Sequence, residues 1–263
     1  MFSQEPRRRF RNPQLLEVIC QLRFPEILAI SARPPVDFQE AIRQEFPQYR
    51  AVNETPAPKL VGAPGNFSVQ KQPDTINYHF ISPDGVWRVN LTSKFISLAC
   101  NRYTTWEDFC QKLDLPLVSF IRTYQPAYFE RVGLRYINAF SRKQLDLEGV
   151  PFRDLFQSCY LGVLAEDDVQ ETATTRCSVD LEMKLRGGAS VKLHAGPGLI
   201  KKQGAPEDKE VRFILDNDLF MGGNIPMNLS VGALQTLHQH ADSLFLGAIT
   251  PQLMDALDPQ EYL

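Results

Sequence analysis

Two arginines that flank a glycine are the residues of this sequence closest to a recognisable chemistry. Alternation within the segment 129–140 places Arg131, Gly133 and Arg135 on one face of a predicted strand. Arginine can bind a phosphate or carboxylate through two parallel hydrogen bonds, and glycine leaves room for a close approach. The same arginines could instead belong to a structural ion-pair network, with Glu17 of the opening strand as one partner. The sequence favours the ion-pair network and leaves the anion site open.

Other arginines extend these two hypotheses. Arg23 lies on the non-core face of the opening strand, so the candidate ligand-binding residues are Arg131, Arg135 and Arg23. The candidates for contact with nucleic acid or an acidic partner are the clustered N-terminal arginines Arg7, Arg8, Arg9 and Arg11. The formal net charge of -3 disfavours nucleic-acid binding over a broad basic surface.

No residue set has the spacing of a known catalytic or metal site. The five cysteines form no CxxC pair, and HExxH is absent. Asp216 and Asp218 have a spacing that could bind Mg²⁺, but Asp-Asn-Asp after a strand is more typical of a turn. We therefore predict no catalytic residue, no metal and no cofactor. An enzyme remains a further alternative, with a site assembled from dispersed residues such as His194, Asp216 and Asp218.

The elements that must position these residues are predicted from periodicity. Alternation predicts strands over 16–24, 76–81, 86–91, 129–140 and 175–186. Thr104 and Glu107 predict a capping box at the start of a long amphipathic helix. The polar, proline-rich stretch 49–64 is predicted to be a loop.

A strand meander followed by an amphipathic helix occurs twice, at about 66–123 and 173–247. This architectural pseudo-repeat predicts an α+β fold with mostly antiparallel sheet, built from two meander-plus-helix units with helices covering one side. The predicted units are an N-terminal α+β unit over 1–145 and a C-terminal α+β unit over 146–263, packed as one compact body.

Composition restricts the class of protein. The chain has 263 residues, of which 43% are hydrophobic and 22% charged, as in soluble globular proteins. No apolar run approaches the ~20 residues that a membrane span needs, and no signal-type apolar stretch follows the N-terminus. An odd number of cysteines indicates reduced thiols. We therefore predict a cytoplasmic protein without a membrane partner.

Several segments resemble a family of sporadically distributed, uncharacterised bacterial proteins. The most specific is the strand motif Gly-Leu-Arg-Tyr-Ile-Asn at 133–138. The resemblance extends over nearly the whole chain through these segments: 12–24, 80–85 with the strand that follows, 103–107, 131–138, 237–245 and 249–250. The resemblance implies no activity and no catalytic residues. The patchy distribution implies a mobile bacterial accessory or defence system.

Three functions are predicted in order of preference. The first is a non-enzymatic binding protein that presents a sheet or groove to a protein partner, with a homo-oligomer left open. The second is a nucleotide, phosphate or nucleic-acid binding protein that uses an arginine-lined sheet face, although nucleic acid is not favoured. The third is the enzyme with a dispersed site.

Overall fold

A computed structural model describes residues 1–55, 59–63, 66–70, 74–201 and 208–260 of the chain. The strands are β1 (Arg9–Phe10), β2 (Leu15–Arg23), β3 (Gln48–Glu54), β4 (Lys59–Ala63), β5 (Asn66–Gln70), β6 (Thr75–Ile81), β7 (Trp87–Leu91), β8 (Phe95–Cys100), β9 (Phe129–Phe140), β10 (Val179–Lys184), β11 (Ser190–Leu199), β12 (Val211–Ile225) and β13 (Pro259–Gln260). The α-helices are α1 (Leu28–Ala32), α2 (Val36–Ile42), α3 (Trp106–Tyr124), α4 (Phe152–Leu155), α5 (Ser230–Leu246) and α6 (Pro251–Ala256).

One nine-stranded antiparallel sheet forms the centre of the fold. Its strand order is β10-β11-β12-β9-β2-β8-β7-β6-β3, and β1 pairs with β13 and β4 with β5 in two small separate ribbons. The predicted α+β class with a mostly antiparallel sheet is confirmed. Strands from both sides of residue 145 belong to the large sheet, while the predicted unit boundaries and the pseudo-repeat stay predictions.

The two faces of the sheet differ in what covers them. The buried side chains of the central strands alternate on one face: Val18, Cys20, Leu22, Val132, Leu134 and Tyr136. Helix α5 packs over β9 and β12 on this side, and α3 packs beside β8. We call this helix-covered side the core face. The other side, which we call the open face, carries Arg131, Arg135, Asp216 and Asp218 in partly exposed positions.

Helix α3 begins one residue later than the sequence predicts. Thr105 is the N-cap, and its hydroxyl accepts a hydrogen bond from the backbone N–H of Asp108 at 3.1 Å. The predicted cap, Thr104, instead donates to the Asp108 carboxylate at 2.7 Å. Glu107 turns away from the helix end and binds Arg7. The hydroxyl half of the predicted capping box is thus present one residue later, at Thr105. The carboxylate half is not, because Asp108 accepts from the Thr104 hydroxyl and Glu107 binds Arg7.

The prediction of a loop over 49–64 is wrong where the structure describes it. Residues 48–54 form β3, the edge strand that pairs with β6, and residues 59–63 form β4; residues 56–58 and 64 lie outside the described ranges. All seven β3 residues are exposed. Because neither side of this strand is buried, its sequence has no apolar alternation from which a strand could be predicted.

The first twelve residues form an N-terminal strap that crosses α5. The N–H of Ser3 donates to the carbonyl of Ser243 at 2.9 Å, and the Ser243 hydroxyl donates back to the Ser3 carbonyl at 2.7 Å. The strap passes so close to Gly247 that a β-carbon there would collide with the carbonyl of Met1. Strand β1 then pairs with β13 near the other end of the chain. The strap is thus held along its length rather than free in solvent.

Candidate functional site

The open-face arginines are engaged in ion pairs across β9 and β12. Arg131 donates to Asp218 at 2.6 Å and lies over the ring of Phe220, 4.7 Å from its centroid. Arg135 binds both carboxylate oxygens of Asp216, with its Nε 2.7 Å from Oδ1. The hydrogen bond to Asp216 raises the pKa of the Arg135 guanidinium. These pairs resemble the predicted ion-pair network, but they lie on the open face and not beneath the helices.

Glu17 of β2, the predicted partner of these arginines, instead pairs with Arg88 of β7 at 3.3 Å, across the intervening strand β8. The room above Gly133 is also occupied, since a β-carbon there would collide with the Arg131 guanidinium. Arg23 lies directly across from Arg131 at the exposed end of β2. The predicted ligand-binding arginines therefore share one face, with two of them bound to carboxylates.

The dispersed residues His194, Asp216 and Asp218 also lie on the open face. Asp216 and Asp218 are in the middle of β12, so the predicted turn at these residues is wrong: the strand continues to Ile225 because their side chains pair with arginines of β9. His194 lies opposite Asp216 in the register, yet its Nδ1 contacts Asp180 at 2.8 Å. This hydrogen bond is the largest cause that lowers the pKa of Asp180. These residues therefore form side-chain pairs between neighbouring strands on the exposed surface of the sheet.

The described part of the chain has no group of side chains suited to binding a metal ion, on the open face or elsewhere. Among residues 1–55, 59–63, 66–70, 74–201 and 208–260, no three His, Cys, Asp or Glu side chains are grouped so that they could hold a metal ion.

A cavity of about 490 Å³ lies between the strap, the start of α3 and the core face beneath α5. Apolar and aromatic side chains form much of its wall: Phe10, Leu15, Tyr103, Trp106, Ala241, Phe245, Leu246 and Leu257. Its volume falls in the range of small-molecule sites, which are concave, mostly apolar and furnished with a few polar groups. The cavity therefore has the size and lining of a site that could hold a ligand.

Polar side chains form the floor of this cavity at positions where the sheet is otherwise apolar. Tyr136 and Asn138 occupy core-face positions of β9, and Asn217 occupies one of β12 directly across from Tyr136. Asn138 and Asn217 are 2% and 1% exposed. The Asn138 amide donates to the Leu215 carbonyl at 3.4 Å, whereas the Asn217 amide oxygen has no hydrogen-bond partner among the described residues. An unpartnered buried amide costs about 1–3 kcal/mol, so it calls for a polar molecule or ligand beside it.

His238 of α5 connects the floor to the strap. Its Nδ1 lies 2.9 Å from the Tyr136 hydroxyl, and its Nε2 lies 2.9 Å from Arg7 and 3.3 Å from Asp242. Because arginine only donates, Nε2 accepts and the ring proton resides on Nδ1, which donates to Tyr136. The ring also stacks on Trp106 with 4.4 Å between centroids. These contacts fix a neutral imidazole in one orientation.

Burial shifts the pKa values of His238 and Asp242, two neighbouring residues of α5, so that each favours its neutral form. Desolvation, assisted by the positive charge of Arg7, lowers the pKa of His238 to about 4. Desolvation raises the pKa of Asp242 to about 7, against the effect of Arg7. The 3.3 Å contact between His238 Nε2 and Asp242 Oδ2 therefore brings together two groups that burial keeps neutral in mildly acidic solution. Burial also raises the pKa of Tyr136.

The N-terminal arginines that the sequence singles out line this cavity. Arg7 donates to both carboxylate oxygens of Glu107, at 2.9 and 3.0 Å, and so fastens the strap to α3. Arg8 and Arg11 are exposed at the rim, where they pair with Glu5 at 3.4 Å and with Asp258 at 2.8 Å. The rim also includes Arg9, whose charge contributes to lowering the pKa of Asp108. The cluster is folded against the protein as one wall of a pocket.

Sequence reasoning missed most of the cavity floor. The missed residues are Tyr136, Asn138, Asn217, His238 and Asp242. One signal was present: Asn138 continues the core-face alternation of Val132, Leu134 and Tyr136, where an apolar residue is expected.

No protein-family model, no curated protein and no solved structure matches this chain. The family resemblance therefore stays a prediction. No helix within the described ranges is long and apolar enough to span a membrane.

Proposed function

We propose that the protein binds a small organic molecule in the cavity beneath the N-terminal strap. The observation that carries this proposal is the buried Asn217 amide, whose oxygen lacks a partner in the wall of a 490 Å³ cavity. A core position that only had to pack would be filled by an apolar side chain. A ligand with hydrogen-bonding groups would account for both the amide and the space beside it.

The cavity supports ligand binding better than the arginine-lined open face does. A ligand on the open face would have to displace Asp216 from Arg135 or Asp218 from Arg131, and both contacts are short. The cavity needs no such exchange at its floor. The binding function expected from the sequence is thus better placed at the N-terminal arginines than at Arg131, Arg135 and Arg23.

A binding experiment can use a fluorophore already in the wall. The chain has two tryptophans, so Trp87→Phe leaves Trp106 as the reporter. We expect some members of a library of small organic acids, phosphates and amides to change Trp106 fluorescence with saturation. Mass spectrometry of the denatured protein would identify a ligand that remains bound during purification.

Two alanines of α5 give a matched pair of blocking variants. Ala241 lines the cavity, whereas Ala233 is buried on the same helix and is not part of the cavity wall. Ala241→Leu should extend a larger side chain into the cavity and strongly weaken binding, while Ala233→Leu, if folded, should leave the affinity unchanged. Equal affinity of wild type and Ala241→Leu for every ligand found would place binding elsewhere and refute the proposal.

A protein partner in the cytoplasm is a second candidate, as expected from the sequence. It is supported by β3, a fully exposed seven-residue edge strand to which another strand could be added. Co-purification from host cells with wild type and with Val52→Glu tests this candidate. A partner retained equally by both proteins would argue against strand addition at β3.

A further inference from the structure

The polar groups of the strap cavity are arranged in layers. Two buried amides, Asn138 and Asn217, form the floor, and the exposed Arg8 and Arg11 form part of the rim. Aromatic side chains line the wall between these layers. A ligand that used all three layers would need hydrogen-bonding edges, a flat body and an anionic end.

The floor offers amides at a spacing suited to a flat heterocycle. In the register, Asn217 faces Tyr136 and Asn138 faces Leu215, so the two asparagines are diagonal neighbours on one face. Such neighbours lie about 7 Å apart across paired strands. An asparagine amide presents one donor and one acceptor side by side, which is the pattern that pairs with the edges of nucleobases.

The wall offers surfaces for a flat ring. Tyr103, Phe10 and Phe245 all line the cavity, and the last two pack with 5.5 Å between ring centroids. Trp106 is less available, because one of its faces is covered by His238. Stacking of a base on an aromatic side chain contributes about 1–3 kcal/mol for any base. The wall therefore favours an aromatic ligand without selecting among bases.

The rim offers guanidinium groups whose present partners are weak. The pair of Arg8 with Glu5 and the pair of Arg11 with Asp258 are exposed to solvent, and such pairs contribute about 0–1 kcal/mol. Arg8 is 3.4 Å from Glu5, and Arg11 is 2.8 Å from Asp258 and donates to Gln260 at 3.2 Å. A guanidinium has five N–H donors, so a phosphate can add charge-assisted hydrogen bonds beside these contacts. Protonation of Asp242 below neutral pH also removes a negative charge from the wall.

We propose that the strap cavity binds a free mononucleotide, with the base on Asn138 and Asn217 and the phosphate on Arg8 and Arg11. This inference rests on the proposed function, because it names the ligand class of the same cavity. A volume of about 490 Å³ lies within the range of sites that bind one small molecule.

Calorimetric titration of the full chain tests the ligand class. The probes are AMP, GMP, CMP and UMP, their nucleosides, ribose 5-phosphate, inorganic phosphate and a 5′-phosphorylated trinucleotide. We expect at least one mononucleotide to bind about tenfold or more tightly than its nucleoside and than ribose 5-phosphate, since each loses one layer of contacts. The trinucleotide should bind more weakly than that mononucleotide.

Two variants separate the floor from the rim. Asn217→Leu keeps the branching and the number of side-chain heavy atoms but removes the amide, and it should weaken nucleotide binding about tenfold or more. The double variant Arg8→Gln, Arg11→Gln should lower the affinity for the nucleotide by a similar factor and leave the affinity for the nucleoside unchanged. The matched control is Arg33→Gln with Arg43→Gln, which removes two exposed arginines that also form short-range ion pairs outside the cavity.

The outcomes distinguish this inference from the proposed function. Unchanged nucleotide affinity in both Asn217→Leu and the rim variant would overturn the inference, and so would tighter binding of the trinucleotide. If organic molecules change Trp106 fluorescence in a manner blocked by Ala241→Leu but no mononucleotide binds, the inference fails and the proposed function stands. If nothing binds in the cavity, both fail.

Discussion

His238 and Asp242 of α5 predict two opposite pH dependences of the free energy of unfolding, which partly offset one another in the wild-type protein. Between about pH 4 and pH 7, Asp242 is protonated when folded and ionised when unfolded, where its pKa is near 3.8. Its contribution to stability therefore falls as pH rises through this window. Between about pH 4 and pH 6.5, His238 is neutral when folded and protonated when unfolded. Its contribution falls as pH decreases.

The magnitudes follow from one proton each. A single proton taken up or released on folding changes the free energy of unfolding by about 1.4 kcal/mol per pH unit. Over its window of 2.5 units, the His238 contribution is roughly 3 kcal/mol. The Asp242 carboxylate is 29% exposed, so we expect roughly 2 kcal/mol from it after solvent screening. From pH 4 to pH 6.5 the two residues change the free energy of unfolding with pH in opposite directions. Replacing one of them should reveal the pH dependence that the other contributes.

Urea unfolding at fixed ionic strength, at four values from pH 4.5 to pH 7.5, measures these slopes. Relative to wild type, Asp242→Asn should gain stability as pH rises, and His238→Gln should gain stability as pH falls. Asp255→Asn and His240→Gln, which remove the same groups at less buried positions, are the controls. Two difference curves that are parallel, or flat within about 0.5 kcal/mol, would refute the assignment of a neutral buried pair.

Further predictions concern the helix cap, the strap and the open face. Thr105→Ala should lower the free energy of unfolding by about 1 kcal/mol and Thr104→Ala by less, as urea titration would show; the reverse order would restore Thr104 as the cap. Gly247→Ala should speed amide hydrogen exchange in the strap, and unchanged exchange would contradict the close approach seen there. A double-mutant cycle of Arg131→Ala and Asp218→Ala should give a coupling of about 1 kcal/mol, and additivity would mean that the pair contributes nothing.

The strands of this protein could be predicted where one side is buried, because alternation then carries a signal. The segment 129–140 is a strand as predicted, with Arg131 and Arg135 on one face. The partners of these arginines could not be predicted, since Asp216 and Asp218 lie on a strand about eighty residues away and the register between strands is set by packing. Without that register, Asp-Asn-Asp has the composition of a turn. The edge strand β3 was missed because no side of it is buried.

The cavity could not be predicted because it depends on contacts between the ends of the chain. The N-terminal arginines look like a solvated arm in the sequence, and they become a wall only when β1 pairs with β13 and Arg7 reaches His238. Each contact joins residues more than 200 positions apart, and local periodicity has no information at that range.

The floor of the cavity departs from the apolar pattern of the core face. Asn138 and Asn217 interrupt two core-face rows of otherwise apolar and aromatic residues, and the small Ala241 lines the same cavity. Leucine at position 217 with a larger residue at 241 would bury more apolar surface and leave no unpartnered amide, so packing alone does not explain these side chains. Local departures from packing rules of this kind are expected where binding, rather than stability, determines the residue. That is the reason to test the floor amides before the more conspicuous arginines of the open face, whose charges are already neutralised by their neighbours.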